Sequence, residues 1–315
     1  MKIGIVGAGA MGSVYGGLFA AAGHEVWFVD LWREHIDAIR AHGLEVSGAS
    51  GQRTVRPMAT TRTEEAGRCD LVVLATKMHD LEKAARSIEP MLGDDTAVLT
   101  IQNGLGSQDI VERARGGRNF LVGIAGGFGA SISKPGAVHH NGWDRVRIAE
   151  AAGGNTPRLR RIVDVWRGAG FNAEGYPDPG PMIWSKYICN LAFSPVCGAL
   201  SLRIGQVLEN PEARLLAESL AREAYDVATA KGIKLDFSDP IKRVHEFGNV
   251  IPNAMPSMLL DLLAGRPSEI DVLNGALVRE AERVGVAAPT NAFMTRVVRA
   301  LEAKQAMLKS IFGPV

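Results

Sequence analysis

The sequence predicts an α/β protein, in which a doubly wound and mostly parallel sheet is followed by an all-helical domain. Three observations support this prediction. Short runs rich in Val, Ile and Leu alternate with helix-like stretches in the first half, a Pro/Gly cluster lies at 177–181, and nearly everything from Met182 onward has a helical pattern. We place the boundary in that cluster, so the expected domains span 1–178 and 179–315.

The elements of the first half follow one another in the order that such a sheet requires. The expected strands are KIGIVG (2–7), EVWFVD (25–30), LEVSG (44–48), TVRPM (54–58), DLVVLAT (70–76) and AVLTIQ (97–102). Helices are expected at 10–22, 33–41, 80–90 and from about Ser107. Residues 120–150 are rich in glycine and predict strands and turns without a long helix. The apolar runs are continuous rather than alternating, which indicates a sheet covered on both faces.

The helical half is divided by Pro and Gly residues. Breaks are expected near Pro211 and at 232–240, 252–256, 265–267 and 285–289. The longest uninterrupted stretches, 211–231 and 289–308, carry apolar faces that suit a symmetric interface, so we expect a homodimer.

Composition excludes several classes of function. Hydrophobic residues make up 46% and charged residues 22% of the 315 positions, as in an ordinary soluble globular protein. A formal net charge of +1 offers no basic patch for nucleic acid, and no apolar run approaches the length of a membrane span. Cys69, Cys189 and Cys197 have neither metal-ligand nor disulfide spacing, so we expect no metal and a reducing, cytoplasmic location.

The first strand runs directly into a glycine-rich turn that opens a helix. The six residues Gly7, Ala8, Gly9, Ala10, Met11 and Gly12 fit the pattern G-x-G-x-x-G. In this context the pattern indicates a Rossmann-type dinucleotide site, in which Gly7 permits the turn, Gly9 admits a pyrophosphate and Gly12 allows close packing. The helix N-terminus supplies N–H groups and a positive dipole to the anion.

Polar residues at the ends of three further strands are candidate ligand contacts. Asp30 ends the second strand, where a carboxylate accepts bonds from the ribose hydroxyls and repels a 2′-phosphate; NAD(H) is therefore favoured, with NADP(H) left open because Arg33 is near. Lys77 suits the cofactor phosphates or ribose, and Asn103 suits nicotinamide or substrate. The alternatives are a helix cap for Asp30, a solvated lysine for Lys77 and an Asn-Gly turn for Asn103–Gly104.

The stretch WSKYICN (184–190) places a lysine and an asparagine one turn apart in an otherwise apolar helix. Lys186 and Asn190, at i and i+4, project from one face. Either the lysine extends its ammonium group to water along its stem, or the two side chains face a site that needs a proton.

The chain resembles the ketopantoate reductase family in six segments, which occur in the family's order and span nearly the whole chain. These segments are GAGAMG, ATK (75–77), QNG (102–104), KPGAVHHNG (134–142), WSKYICN and PSMLLDLLAGRPSEIDVLNG (256–275). The resemblance implies hydride transfer from a nicotinamide to the C2 carbonyl of 2-dehydropantoate, giving pantoate. It implies that Lys186 protonates or stabilises the alkoxide and that Asn190 binds substrate, both facing a cleft between the domains. Glu269 would hold the substrate hydroxyl and support the lysine, Ser257 would contact the substrate carboxylate, and Asn103 would position substrate or nicotinamide.

Three departures from the family pattern leave the substrate open. Ser194 stands where members commonly have a second asparagine, Pro256 replaces the first serine of Ser-Ser-Met, and Asp30 replaces basic character near the ribose. An NAD-dependent 2-hydroxy-acid dehydrogenase acting on another small polar acid is the alternative enzyme, and a dinucleotide sensor without chemistry is the alternative of another class. Glu269 and Ser257 also have the alternative of capping nearby helices.

Overall fold

The computed structural model describes residues 1–117, 119–126, 129–142 and 145–312. Their contacts divide the chain into a first unit, Met1–Gln102 with Ser107–Pro179, and a second unit, Asn103–Gly106 with Gly180 onward. This division differs from the sequence-based one in the loop Asn103–Gly106, which packs with the helical half. Leu105 lies against the apolar core of the second unit, so the loop is held there rather than by the strand that precedes it.

The first unit is built from strands and six helices among its described residues. The strands are β1 (Lys2–Val6), β2 (Glu25–Val29), β3 (Leu44–Gly48), β4 (Arg53–Val55), β5 (Met58–Thr60), β6 (Leu71–Leu74), β7 (Ala97–Thr100), β8 (Leu121–Ala125), β9 (Gly129–Lys134), β10 (Ala137–Gly142), β11 (Arg145–Glu150) and β12 (Asn172–Tyr176). The helices are α1 (Ala10–Ala21), α2 (Arg33–His42), α3 (Thr63–Ala66), α4 (Leu81–Ser87), α5 (Ser107–Arg115) and α6 (Pro157–Gly168).

Within the described ranges the strands form two sheets. The larger has eight strands in the order β12-β11-β8-β7-β6-β1-β2-β5, parallel throughout except where β11 meets β8. The smaller has the order β4-β3-β10-β9, and α1 packs between it and the large sheet. The expectation of strands and turns at 120–150 holds for β8 to β11, while 127–128 and 143–144 lie outside the described residues. The expected helix at 80–90 is the shorter α4, flanked by 3-10 turns at Met78–Asp80 and Glu89–Met91.

An aromatic cluster fixes α1 against the rest of the first unit. The Trp166 ring of α6 lies 5.1 Å from that of Tyr15 and 5.0 Å from that of Phe19, both on α1. Phe171 completes the cluster at 4.6 Å from Trp166. Edge and tilted ring contacts of this kind add specific stabilisation to the burial of apolar area. The start of α1, which carries the glycine-rich turn, is therefore held rigidly.

The regular secondary structure of the second unit consists of helices among its described residues. Its helices are α7 (Pro179–Leu200), α8 (Ile204–Glu209), α9 (Pro211–Ala230), α10 (Pro240–Val250), α11 (Ser257–Leu263), α12 (Asn274–Val284) and α13 (Pro289–Phe312). Proline at the first position of several of them, with Asn210 and Asp239 capping α9 and α10, explains where the expected breaks fall. Most of α7 is buried, as its apolar composition on all sides requires. The predicted fold class, a parallel α/β sheet followed by an all-α domain, is confirmed.

Candidate functional site

The glycine-rich turn has the backbone geometry that its pattern predicts. Gly7 has a φ of +98°, and a Cβ there would lie 2.6 Å from the Thr76 nitrogen; a Cβ on Gly12 would lie 1.9 Å from the Gly7 oxygen. Neither position admits a side chain. Gly9 differs, because a Cβ there would have no atom within 4 Å and its backbone is extended. The fold itself therefore does not require glycine at position 9. A ligand that packs directly against the backbone there would require it, because a Cβ would occupy the space of the ligand.

The first turn of α1 is suited to an anion. Gly9 is its N-cap, no acidic residue lies in the first turn, and Gly9 is exposed while Ala10 and Met11 are half-buried. The N–H groups of such a turn have no acceptor within their own helix, and the helix dipole is positive at this end. These residues fit the pyrophosphate of a dinucleotide.

Asp30 has a structural role that the sequence did not indicate. Its carboxylate accepts a hydrogen bond from the Ala8 N–H at 2.6 Å and another from the Trp32 N–H at 2.9 Å. It does not cap α2, whose N-cap is Trp32. Asp30 thus joins the end of β2 to the glycine-rich turn. Each carboxylate oxygen can still accept a second bond, which keeps the residue suitable for ribose hydroxyls.

Sequence reasoning also missed a buried histidine behind the turn. The Gly136 N–H donates to Nδ1 of His35 at 3.1 Å, so Nε2 carries the hydrogen that faces Ser13 Oγ at 3.1 Å. Ser13 Oγ in turn donates to the Ala8 carbonyl at 2.9 Å. Burial lowers the pKa of His35, which the nearby Asp30 carboxylate raises in part. The lowered pKa favours the neutral imidazole. The hydrogen-bond chain requires this form, because Nδ1 must be unprotonated to accept from the Gly136 N–H.

The end of β6 lies against the glycine-rich turn, and the residues after β7 bond the end of β6. Thr76 lies against Gly7, and Lys77 follows it as an exposed residue at the start of a 3-10 turn. Gln102, which is buried, donates to the Leu74 carbonyl at 2.7 Å and to that of Thr76 at 3.2 Å. Lys77 therefore stands where the sequence predicted, at a strand end beside the turn, and Gln102 holds that strand end in place.

In the second unit, Lys186 and Asn103 are in direct contact although 83 positions separate them. Lys186 Nζ donates to Asn103 Oδ1 at 2.7 Å, in a half-buried position. A charge-assisted hydrogen bond of this length fixes the direction of the ammonium group. The lysine does not simply extend into solvent, and two residues that the sequence named separately form one cluster.

A turn between α11 and α12, residues 269–274, holds this cluster together. Tyr187 OH donates to the Leu273 carbonyl at 2.7 Å, and the Leu273 N–H donates to the Glu269 carbonyl at 3.0 Å. Gly104, with a φ of +86°, lies so close to the turn that a Cβ there would be 2.5 Å from the Val272 oxygen. The backbone of the turn thus packs against both the helix that carries Lys186 and the loop that carries Asn103.

The remaining predicted residues lie on the same two helices and this turn. Asn190 is half-buried one turn after Lys186, and Ser194 is buried one turn further along α7. Glu269 begins the 269–274 turn. It does not cap the following helix, α12, because that helix starts at Asn274 and its N-cap is Leu273. Ser257 is exposed at the first position of α11, whose N-cap is Pro256, so it is not the cap either.

Neither metal nor thiol chemistry is indicated by the described part of the chain. No group of three His, Cys, Asp or Glu side chains there is arranged to hold a metal ion. The three cysteines are buried free thiols, and burial raises the pKa of Cys69 to about 11 and those of Cys189 and Cys197 to about 12. Thiols held in the neutral form are poor nucleophiles. The described helices include none that combines the length and apolar character of a membrane span.

Known proteins are similar to this chain over nearly its whole length. A relative from Pyrococcus horikoshii named 2-dehydropantoate 2-reductase is 32% identical over 96% of this chain and 98% of its own. The crystal structure of a PanE/ApbA family ketopantoate reductase from Ralstonia eutropha superposes with a TM-score of 0.88 at 29% identity, covering 97% of this chain and 100% of that one. The ternary structure of D-mandelate dehydrogenase with NADH and anilino(oxo)acetate gives 0.89 at 29% identity, with 97% and 99% covered.

Both units match the sequence profile of one family. The profile described as ketopantoate reductase PanE/ApbA covers residues 3–153, and the profile of the C-terminal part of that enzyme covers 180–302. The first range contains the glycine-rich turn, Asp30, Lys77 and Asn103, and the second contains Lys186 and the 269–274 turn. The chain therefore belongs to the ketopantoate reductase family of nicotinamide-dependent oxidoreductases.

Proposed function

We propose that this protein reduces the C2 carbonyl of 2-dehydropantoate to the alcohol of pantoate. The observation that carries the proposal is the Lys186–Asn103 hydrogen bond of 2.7 Å, with Asn190 one turn away, in a chain whose relatives bear that enzyme's name. A helix that is otherwise apolar has no structural need for an oriented ammonium group. A reductase needs such a group beside the carbonyl oxygen.

The residues of the first unit fit the cofactor. The open backbone at Gly9 and the first turn of α1 would hold the pyrophosphate, and Asp30 would accept bonds from the adenosine ribose. Lys77 lies beside the turn, where it would face the phosphates or ribose. When bound, the reduced nicotinamide supplies the hydride that the carbonyl carbon accepts.

Lys186 would manage the charge that develops on the carbonyl oxygen. As that oxygen becomes an alkoxide, an ammonium donor first stabilises it and then transfers a proton, which completes the alcohol. Asn103 accepts one N–H of the ammonium and so sets its orientation before substrate arrives. An ammonium already oriented by a hydrogen bond needs little reorganisation during the reaction.

The other predicted residues would bind the rest of the substrate. Asn190 and Ser194, on successive turns of α7, would hydrogen-bond its polar groups, and Ser257 would contact its carboxylate from the exposed start of α11. Glu269 would hold the substrate hydroxyl and support the charge of the lysine. The Tyr187–Leu273 bond supports this assignment, because it places the 269–274 turn directly on α7.

NAD(H) is the cofactor that we propose as preferred, with NADP(H) as the alternative. The carboxylate of Asp30 bonds the Ala8 N–H and is therefore held at the glycine-rich turn, where it would repel a 2′-phosphate. We expect a higher kcat/KM with NADH than with NADPH. A tenfold preference for NADPH, about 1.4 kcal/mol in the opposite direction, would contradict this assignment.

A specific observation favours a second candidate, an NAD-dependent 2-hydroxy-acid dehydrogenase acting on a different acid. The D-mandelate dehydrogenase structure, solved with NADH, matches this chain as well as the reductase structures do, at a TM-score of 0.89. Two of the three departures from the family pattern, Ser194 and Asp30, stand at proposed substrate and cofactor positions. Both candidates use the same lysine chemistry in opposite directions.

Absorbance of the nicotinamide at equilibrium and in steady state distinguishes the candidates. NADH and NADPH are each tested with a panel of 2-keto acids that includes 2-dehydropantoate and phenylglyoxylate, and NAD with the matching hydroxy acids. The highest kcat/KM for 2-dehydropantoate supports the first candidate, and the highest for any other 2-keto acid of the panel, small and polar or aromatic, supports the second. Absence of turnover with every pair would overturn both and favour a sensor.

Assembly and location remain proposals. We propose a homodimer, because α9 and α13 expose large apolar side chains such as Leu215, Phe293 and Met307, at 54%, 60% and 63% of their full areas. Light scattering at micromolar concentration tests this, and a monomer mass would refute it. A reducing, cytoplasmic location is proposed from the three free cysteines.

A further inference from the structure

A proline lies in the middle of the helix that carries the proposed catalytic residues. Pro195 is inside α7, one position after Ser194. Proline has no N–H, and its ring crowds the carbonyl four residues earlier. The Leu191 carbonyl therefore loses its intrahelical donor, in a part of α7 that is fully buried. An unpaired carbonyl in such a place is costly, so the fold needs another donor there.

That donor is a side chain from the first residue of α12. Asn274 Nδ2 lies 3.3 Å from the Leu191 oxygen, and Asn274 is fully buried. The same nitrogen donates to Asn291 Oδ1 at 2.9 Å, so both of its hydrogens have acceptors. The Asn291 amide is itself oriented, because its Nδ2 donates to the Glu223 carboxylate at 2.7 Å. This arrangement fixes which way the Asn274 amide points.

Asn274 and its neighbour contact α7 on two successive turns. Leu273 accepts a hydrogen bond from Tyr187 OH at 2.7 Å, and Asn274 donates to Leu191. Tyr187 and Leu191 are four residues apart, on one face of the helix. Each directly follows a proposed substrate-contacting residue, Lys186 or Asn190. The two bonds thus define the position of the turns that carry those residues.

We propose that Asn274 is a positioning residue for the reaction: it replaces the hydrogen bond that Pro195 denies to Leu191 and thereby sets where α7 presents Lys186 and Asn190. This inference rests on the proposed reductase function. It accounts for a fully buried asparagine whose two amide hydrogens would be unsatisfied in the apolar core without these acceptors.

A rescue experiment tests the proposal. Asn274→Ala removes the donor, whereas Pro195→Ala supplies a backbone N–H at the position from which an ordinary helix would bond Leu191. We expect Asn274→Ala to lower kcat by between about tenfold and a hundredfold, the effect of displacing catalytic groups by a fraction of an ångström to an ångström, with a smaller change in KM. The double variant should recover most of the lost kcat and most of the lost urea midpoint.

Thr295→Val is the matched control. It removes another buried hydrogen bond of the second unit, from Thr295 Oγ1 to the Asn291 backbone carbonyl at 2.7 Å, and this bond involves neither a residue of α7 nor the Asn291 side chain that orients Asn274. We expect a lower urea midpoint and an unchanged kcat. The proposal is overturned if Pro195→Ala fails to rescue Asn274→Ala, or if Asn274→Ala loses no more kcat than Thr295→Val.

Failure of the proposal and failure of the proposed function give different results. If Asn274→Ala does not fold, the double variant is tested directly: a folded double variant supports the compensation, and an unfolded one overturns it. If the wild-type protein turns over no keto acid with either nicotinamide, the proposed function fails. Rescue of the urea midpoint then still reports on the Asn274–Pro195 pair.

Discussion

Replacing Lys186 by alanine should separate catalysis from cofactor binding. Loss of a proton donor or oxyanion stabiliser costs about 10²- to 10⁴-fold in rate. At about 1.36 kcal/mol per factor of ten this is about 2.7 to 5.4 kcal/mol of transition-state stabilisation. The hydrogen bond to Asn103 is half-buried, and the net contribution of a bond to a charged group is about 1.5 to 3 kcal/mol, with the lower end expected where solvent screens the charge. We therefore expect the loss in activation free energy to exceed the loss in stability.

The residues proposed to hold the pyrophosphate and the adenosine ribose belong to the first unit and Lys186 to the second, so binding of NADH should survive the substitution. The assay measures kcat with the preferred keto acid, the dissociation constant of NADH by fluorescence, and the urea midpoint for the same preparations. Lys186→Arg should rescue little, because a planar guanidinium does not reproduce a compact ammonium donor. Lys234→Ala, at an exposed position of the second unit, is the matched control for removal of one positive charge.

The substitution of Asn103 adds a graded test. Asn103→Ala leaves the ammonium in place and removes the acceptor that orients it, so kcat should fall by less than in Lys186→Ala. Two results would refute the reasoning. One is a Lys186→Ala variant that keeps more than about a tenth of the wild-type kcat. The other is a loss of NADH binding in proportion to the loss of turnover.

Three further outcomes follow from the described contacts. Gly9→Ala should keep the wild-type urea midpoint but bind NADH at least about tenfold more weakly, because the new Cβ contacts no protein atom and would clash only with a bound ligand. Gly12→Ala should lose stability as well, since its Cβ would lie 1.9 Å from the Gly7 oxygen. Tyr187→Phe should lose about 1 kcal/mol in urea unfolding, the value of one buried hydrogen bond. The pKa of His35 is lowered from its ordinary value of 6.5, so at mildly acidic pH its imidazole stays neutral in the native state while it binds a proton in the unfolded chain. The contribution of His35 to the free energy of unfolding should therefore be fully present above about pH 6.5. Below that pH the free energy of unfolding should fall by at most about 1.4 kcal/mol per pH unit. The pKa values of two other histidines are lowered in the same direction, so His35→Gln, measured in parallel from pH 7.5 to 5, isolates this one: a curve identical to wild type would contradict the assignment.

The parts of the fold that the sequence predicts well are those that local patterns determine. Continuous apolar runs predicted β1, β2, β6 and β7, and Pro and Gly predicted the breaks between the helices of the second unit. TVRPM (54–58), expected as one extended piece, is instead divided between β4, which ends at Val55, and β5, which begins at Met58 in the other sheet. Pro57 has no N–H to donate to a ladder, so the chain leaves one sheet before it and joins the other after it. Strand ends were less accurate: AVLTIQ gives a strand only to Thr100. Beyond that point the side chain of Gln102 turns to bond the neighbouring strand, and a pattern of hydrophobicity does not report such a bond.

The candidate site shows the same division. Residue types at strand ends and on one helix face were enough to name Asn103 and Lys186 separately. Their contact, across 83 positions, depends on Asn103–Gly106 leaving the sheet domain to pack with the helices. The signal available in the sequence was Gly104, because an Asn-Gly pair marks a turn that needs a positive φ. What that turn packs against is a tertiary property.

Asp30 and Asn274 each make a hydrogen bond to the backbone that a sequence motif does not reveal. Asp30 was predicted for its charge, yet its carboxylate also bonds the Ala8 N–H, so a substitution made to change cofactor preference will also loosen the glycine-rich turn. Asn274 belongs to a recognisable motif, but its contact to Leu191 has meaning only beside Pro195, 79 positions earlier in the chain. In both cases the polar side chain satisfies a backbone group, and that backbone group belongs to an element with a proposed role in binding or catalysis. Substitutions meant to change specificity should therefore preserve these backbone hydrogen bonds. Asp30→Asn retains an acceptor for the Ala8 N–H, so it is a better start for accepting NADP(H) than Asp30→Ala, which removes the acceptor.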